Sequence, residues 1–165
     1  GVSKAYCMTG WRLGYCGGPK NIIAGMNKIQ SQSTTSTSSI TMAASVEALL
    51  GDQHFISVHN QQFKKRRNMV VEKLNSIDGI NCSMPSGAFY VYPSCAGVIG
   101  KKTPSGEIID NDEKFMSYLL ESEGVAGVHG EAFGLSPYFR LSYATSEAIL
   151  RDACNRIERA CALLK

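Results

Sequence analysis

The sequence has no apolar stretch long enough to span a membrane, and no signal-peptide layout opens it. It has no C-x-x-C pair and no His/Cys cluster at metal-ligand spacing, so the expected metal set is none. Its six cysteines, Cys7, Cys16, Cys82, Cys95, Cys154 and Cys161, stand singly. That usage points to a reducing compartment and to small buried side chains. His54, His59 and His129 are likewise dispersed. There is no internal repeat and no initiator methionine. Gly1-Val2-Ser3-Lys4 runs straight into the most informative segment, as expected of a piece of a longer chain. What is there suits one domain, or a domain with part of another: 165 residues, 44% hydrophobic and 19% charged, which is enough for a buried core. The net charge is only +3, and the one basic run, Lys64-Lys65-Arg66-Arg67, lies inside a helical pattern. It reads as a solvated helix face rather than a nucleic-acid patch.

Periodicity organises the rest. Residues 11–18 read as a short buried strand ending in Gly17-Gly18, and Pro19 opens a helix over about 20–31 with Ile22, Ile23, Met26 and Ile29 on one face. The Ser/Thr tract 31–39 reads as an ordered polar turn capping a helix at 39–50. Gly51-Asp52 breaks that helix, and a long one follows over about 53–77. Strands are expected at 80–84 and 87–92, a loop at 94–111, a helix at 112–123, and strands at 125–128 and 138–143. Ser146 and Glu147 begin a last amphipathic helix.

The chemistry concentrates in Ser3-Lys4-Ala5-Tyr6-Cys7-Met8-Thr9-Gly10-Trp11-Arg12-Leu13-Gly14. A lysine amine attacks an aldehyde only when neutral, a form favoured by apolar surroundings and neighbouring cations. Ala5, Tyr6, Met8, Trp11 and Arg12 follow Lys4 closely. Arg12 offers a planar guanidinium able to clamp two oxygens of one phosphate, and Ser3 a hydroxyl donor. Farther on, Arg140 stands on the mostly apolar strand Tyr138–Tyr143, where an arginine needs an anionic partner or an exit to solvent.

The segment from Ser3 to Gly14 resembles the cofactor-lysine motif S-K-x-x-x-x-x-G-x-R-x-G of class I pyridoxal-phosphate-dependent aminotransferases. With MTGWRLGYCGGPK, QSQSTTS, PSGAFYVY and FRLSYATS, the chain resembles the bacterial aspartate (aspartate/prephenate) subgroup from its first residues to its last helix. The resemblance implies that Lys4 carries pyridoxal 5'-phosphate and shuttles the substrate proton. It implies that Ser3 and Arg12 hold the cofactor phosphate and that Arg140 binds the substrate α-carboxylate. Gly87, Phe89 and Tyr90 read as core or as pocket wall. Val128–Gly134, with His129 where the family commonly has Pro, reads as a plain turn before a pocket mouth.

The implied fold is α/β. Residues 1–38 would be the last part of the large cofactor-binding domain of fold type I, and 39–165 an α+β C-terminal small domain entered through the long helix at 53–77. The implied function is transamination between an amino acid, aspartate or a related acid, and a 2-oxo acid, in a cytoplasmic homodimer that needs neither nucleic acid nor membrane. Other parts of the cofactor site would lie upstream of Lys4. The fragment alone is therefore expected to be inactive and not to hold the cofactor, with residues 1–38 rearranged, swapped or held by other parts of the protein. The alternatives are an aminotransferase-like sensor domain of a transcription regulator, a related decarboxylase or carbon–carbon ligase, and a cofactor-free interaction domain.

Overall fold

The structure is a computed structural model that describes all 165 residues. The chain divides into two compact units, Gly1–Asn60 and Gln61–Lys165.

The first unit has no strand. It opens with a chain of turns, then the single-turn helix Thr9–Trp11, α1 (Lys20–Ser33) and α2 (Ser39–Leu50). The expected strand at 11–18 does not form, and Trp11 and Tyr15 are exposed. An extended segment becomes a strand only by pairing its backbone groups, and no strand of this unit offers a ladder. Pro19 precedes α1, where its missing N–H costs no helical bond. Ser38 occupies the position before α2 but makes no side-chain cap bond, so the Ser/Thr tract turns the chain without capping it. Neither helix has a buried apolar residue; Ile29 is 73% and Leu50 82% exposed.

The long helix α3 (His54–Asn75) runs across the division. Asp52 accepts the His54 N–H at 2.9 Å and so satisfies one of the donors left open at its start. Its last turns supply Met69, Val70, Val71 and Leu74 to the core of the second unit. The basic run divides along this helix. Lys64 and Lys65 face solvent, but Arg66 lies over the Phe63 ring and Arg67 donates to the Pro85 carbonyl. The solvated-face reading therefore holds for the lysines and is corrected for the arginines, whose guanidinium groups find partners on their own unit.

The second unit is one antiparallel sheet with helices against it. β1 (Tyr90–Val91) and β2 (Val128–His129) flank the central β3 (Phe139–Ser142). Tyr90 stands opposite Ser142, and Val128 opposite Arg140. α4 (Asp112–Glu123) and α5 (Glu147–Ala162) pack together, and Phe115, Leu119 and Ile157 join Phe139 and Val91 in the core. Both helices begin with a side-chain cap. Asn111 accepts from the Lys114 N–H and Ser146 from the Ile149 N–H, each worth about 1 kcal/mol. Gly124, left-handed at φ 66, ends α4 as glycine after a helix typically does.

The strand expected at 80–84 is reduced to a bridge between Asn81 and Ser94. Asn75 holds Cys82 on both its N–H and its C=O, replacing the ladder that a strand would have used. The expected loop at 94–111 contains a short helical turn, Ala96–Val98, and there the backbone of Gly97 lies against that of Gly79. A Cβ on Gly97 would sit 2.5 Å from the Gly79 Cα, so only glycine fits this crossing.

Candidate cofactor and carboxylate sites

Ser3, Lys4 and Arg12 share one loop in the first unit. Its backbone is closed by bonds from Tyr6 N–H to the Val2 carbonyl, Cys7 N–H to the Lys4 carbonyl and Trp11 N–H to the Met8 carbonyl. Val2 and Met8 are buried beneath it, while Lys4 and Arg12 are exposed and Ser3 is half-buried. Thr9 ties the loop crosswise. Its hydroxyl donates to the Ser3 carbonyl at 2.9 Å, and its own carbonyl accepts from Arg12 Nη1 at 3.2 Å. Thr9 lies between Lys4 and Arg12, and no pattern in the sequence marks it. Cys7 and Arg12 both have φ 55, a left-handed conformation that costs a non-glycine residue about 1–3 kcal/mol and clusters at functional sites.

The composition of this segment suits an anionic ligand. No Asp or Glu occurs before Glu47, whereas Lys4, Arg12, Lys20 and Lys28 are all cationic. Arg12 has no carboxylate within ion-pair reach; its one hydrogen bond uses Nη1 and leaves the other guanidinium donors available. A primary amine, a hydroxyl and an unneutralised guanidinium thus stand on one closed loop. These residues fit a phosphorylated aldehyde: Arg12 and Ser3 for the phosphate, Lys4 for the carbonyl carbon.

Arg140 belongs to the second unit. Its Cζ lies 4.6 Å from the centroid of the Tyr90 ring and 4.4 Å from that of Phe133. Each such contact contributes about 0.5–2 kcal/mol, depending on desolvation. The guanidinium is half-buried and makes neither an ion pair nor a hydrogen bond within the chain. Two rings lie against it and no side-chain hydrogen bond uses its N–H groups, whose planar fork matches a carboxylate. Alternation along β3 sends Phe139 and Leu141 to the core side and Arg140 to the other.

The two readings left open for Phe89 and Tyr90 divide cleanly: Phe89 packs against the core and Tyr90 covers Arg140. The plain-turn reading of Val128–Gly134 is corrected, because Phe133 on that turn is the second ring on Arg140. Tyr92 supports the same turn, donating to the Gly130 carbonyl at 3.1 Å. No sequence signal marked this role, since Phe133 is an ordinary apolar residue in a glycine-rich turn. No group of three His, Cys, Asp or Glu side chains is placed to hold a metal ion, and no helix is long and apolar enough to cross a membrane.

Comparison with known proteins gives the family. Residues 1–157 match the family described as aminotransferase class I and II, and the chain belongs to that family. It is 57% identical over 161 residues to the aspartate aminotransferase of Rhizobium meliloti strain 1021, covering 98% of this chain and 39% of that protein. It is 54% identical over 162 residues to the aspartate/prephenate aminotransferase of Cereibacter sphaeroides, covering 98% and 40%. The crystal structure of the Rhizobium meliloti aspartate aminotransferase matches with a TM-score of 0.97 at 56% identity, over all of this chain and 41% of that one. The chain therefore spans about two fifths of the length of these relatives. Its structural neighbours are aminotransferases of the same α/β fold.

Proposed function

We propose that this chain is part of a pyridoxal-phosphate-dependent aminotransferase that moves an amino group between an amino acid, aspartate or a related acid, and a 2-oxo acid. The observation that carries this is the closed loop on which Ser3, Lys4 and Arg12 stand together, tied by Thr9. Residues 1–38 are assigned to the cofactor-binding domain and 39–165 to the C-terminal small domain, which contains the long linking helix α3. The solvent-facing Ile22, Met26 and Ile29 of α1 support the first assignment, because such a face belongs inside a larger domain. The working protein is proposed to be a cytoplasmic homodimer. The regulator reading is not favoured, since the relatives that match along the whole chain are named as aminotransferases.

Pyridoxal phosphate, when bound, supplies the electron sink for the carbanion formed at the substrate Cα. Arg12 and Ser3 hold the phosphate. Lys4 would hold the cofactor at its carbonyl carbon and would carry the proton of the substrate Cα. Arg140 binds the α-carboxylate through two parallel N–H bonds, which fixes the direction of the Cα–H bond.

The deciding experiment is Lys4→Ala in the intact protein. It is expected to remove both the visible absorbance of lysine-bound cofactor and the transfer of the amino group from aspartate. Full turnover by that variant would overturn the proposal.

A further inference from the structure

Asp112 is a buried carboxylate, 1% exposed, with no cation within ion-pair distance. Burying a charge without a counter-ion is unfavourable unless hydrogen bonds replace the lost water. Capping α4 does not require it, because Asn111 already accepts the Lys114 N–H. Two donors to the Asp112 carboxylate come instead from one distant turn. The Glu131 N–H donates to Oδ2 at 2.9 Å, and the Ser136 hydroxyl donates to Oδ1. Burial pushes this carboxyl up, but the bonds from Ser136 and from the N–H groups of Glu131, Asp112 and Gly130 outweigh it and leave it below its ordinary value.

That turn carries Phe133. Phe133 is 48% exposed, so core packing does not set its position; the backbone of the turn and an edge-on contact with Tyr92 do. The backbone has little room to adjust. A Cβ on Gly130 would lie 2.1 Å from the Leu135 carbonyl oxygen. Asp112 thus holds the turn, the turn places Phe133, and Phe133 with Tyr90 packs against the Arg140 guanidinium.

We propose that Asp112 is a positioning residue for carboxylate binding, acting on Arg140 through the Gly130–Ser136 turn and the Phe133 ring. The inference rests on reading Arg140 as the α-carboxylate binder. Asp112 touches no substrate; it fixes the orientation in which the guanidinium meets one.

Steady-state kinetics of the intact protein with L-aspartate and 2-oxoglutarate test this. Phe133→Leu and Asp112→Ala are each expected to raise KM for both substrates about three- to tenfold while changing kcat less than about twofold. Absorbance of bound cofactor should stay at the wild-type level. Asp112→Asn keeps an acceptor for the Glu131 N–H and an amide for Ser136, so its KM is expected within about twofold of wild type. The double variant Asp112→Ala with Phe133→Leu should rise no further than the larger single effect, because both act on one path. Wild-type KM in Phe133→Leu would overturn the proposal, whether or not Asp112→Ala folds. So would a folded Asp112→Ala that loses only thermal stability. Arg140→Ala is the control that separates the two levels. If it leaves KM unchanged, the carboxylate-binding reading falls and takes this inference with it. If it raises KM while Phe133→Leu does not, only the inference falls.

Discussion

Arg12 donates from Nη1 to the carbonyl oxygen of Thr9 at 3.2 Å while its own backbone is held left-handed at φ 55. The loop spends conformational strain to aim this guanidinium. In the intact protein Arg12→Ala should therefore weaken pyridoxal phosphate, raising its Kd at least about tenfold, in line with loss of one partner of a charge-assisted pair. Arg12→Lys should recover part of the loss, since an ammonium keeps the charge but not the fork. Titration followed by absorbance reads both. Equal affinity in Arg12→Ala would remove the phosphate role.

Arg140→Ala should impair every amino acid and 2-oxo acid to a similar extent, because each carries an α-carboxylate. The expected loss in kcat/KM is about 2–5 kcal/mol. A series of monocarboxylic and dicarboxylic substrates decides it. A loss confined to dicarboxylic substrates would make Arg140 a reader of the distal carboxylate instead.

Four cysteines should be chemically silent. Burial pushes the thiols of Cys82 and Cys161 up to about 11 and that of Cys95 up to about 12. Cys154 is buried and raised as well. Thiolate is the reactive form, so iodoacetamide at pH 8 should leave these four unmodified until denaturant is added. Peptide mass spectrometry gives the readout, and modification at the rate of the unfolded chain would contradict it.

The Asp112 carboxyl lies below its ordinary 3.8 in the folded protein. A depressed folded value means that its stabilising contribution is present above the unfolded value and is lost as pH falls through the folded one. The stability gap between wild type and Asp112→Asn should thus be flat above about pH 5 and shrink on further acidification. Denaturant midpoints across pH measure it. A gap that shrank between pH 5 and 8 would refute this account.

The helices were legible because their signals are local. The apolar spacing of α5, the Ser146 cap and the Gly124 stop can all be read from a few adjacent residues, and α4 begins and ends where the pattern puts it. The strands were less legible because pairing is not local. Residues 11–18 have strand-like composition yet no ladder, and residues 80–84 keep only one bridge because Asn75 takes the backbone groups of Cys82. The charged residues proposed for the cofactor and for the carboxylate, Lys4, Arg12 and Arg140, stood out in ordered motifs. Their supports did not. Thr9, Phe133 and Asp112 gain their roles only from what the chain brings against them, and an aspartate at a helix start looks the same whether it is exposed or buried.

β3 places Phe139 in the core and Arg140 on the opposite face, one residue apart. A slip of a single residue against β1 and β2 would reverse both, pushing a guanidinium among Phe115 and Leu119 and a phenyl ring into water. Such a misregistered sheet would lose its core together with its arginine. The packing that selects the register of β3 therefore also selects the face on which Arg140 lies.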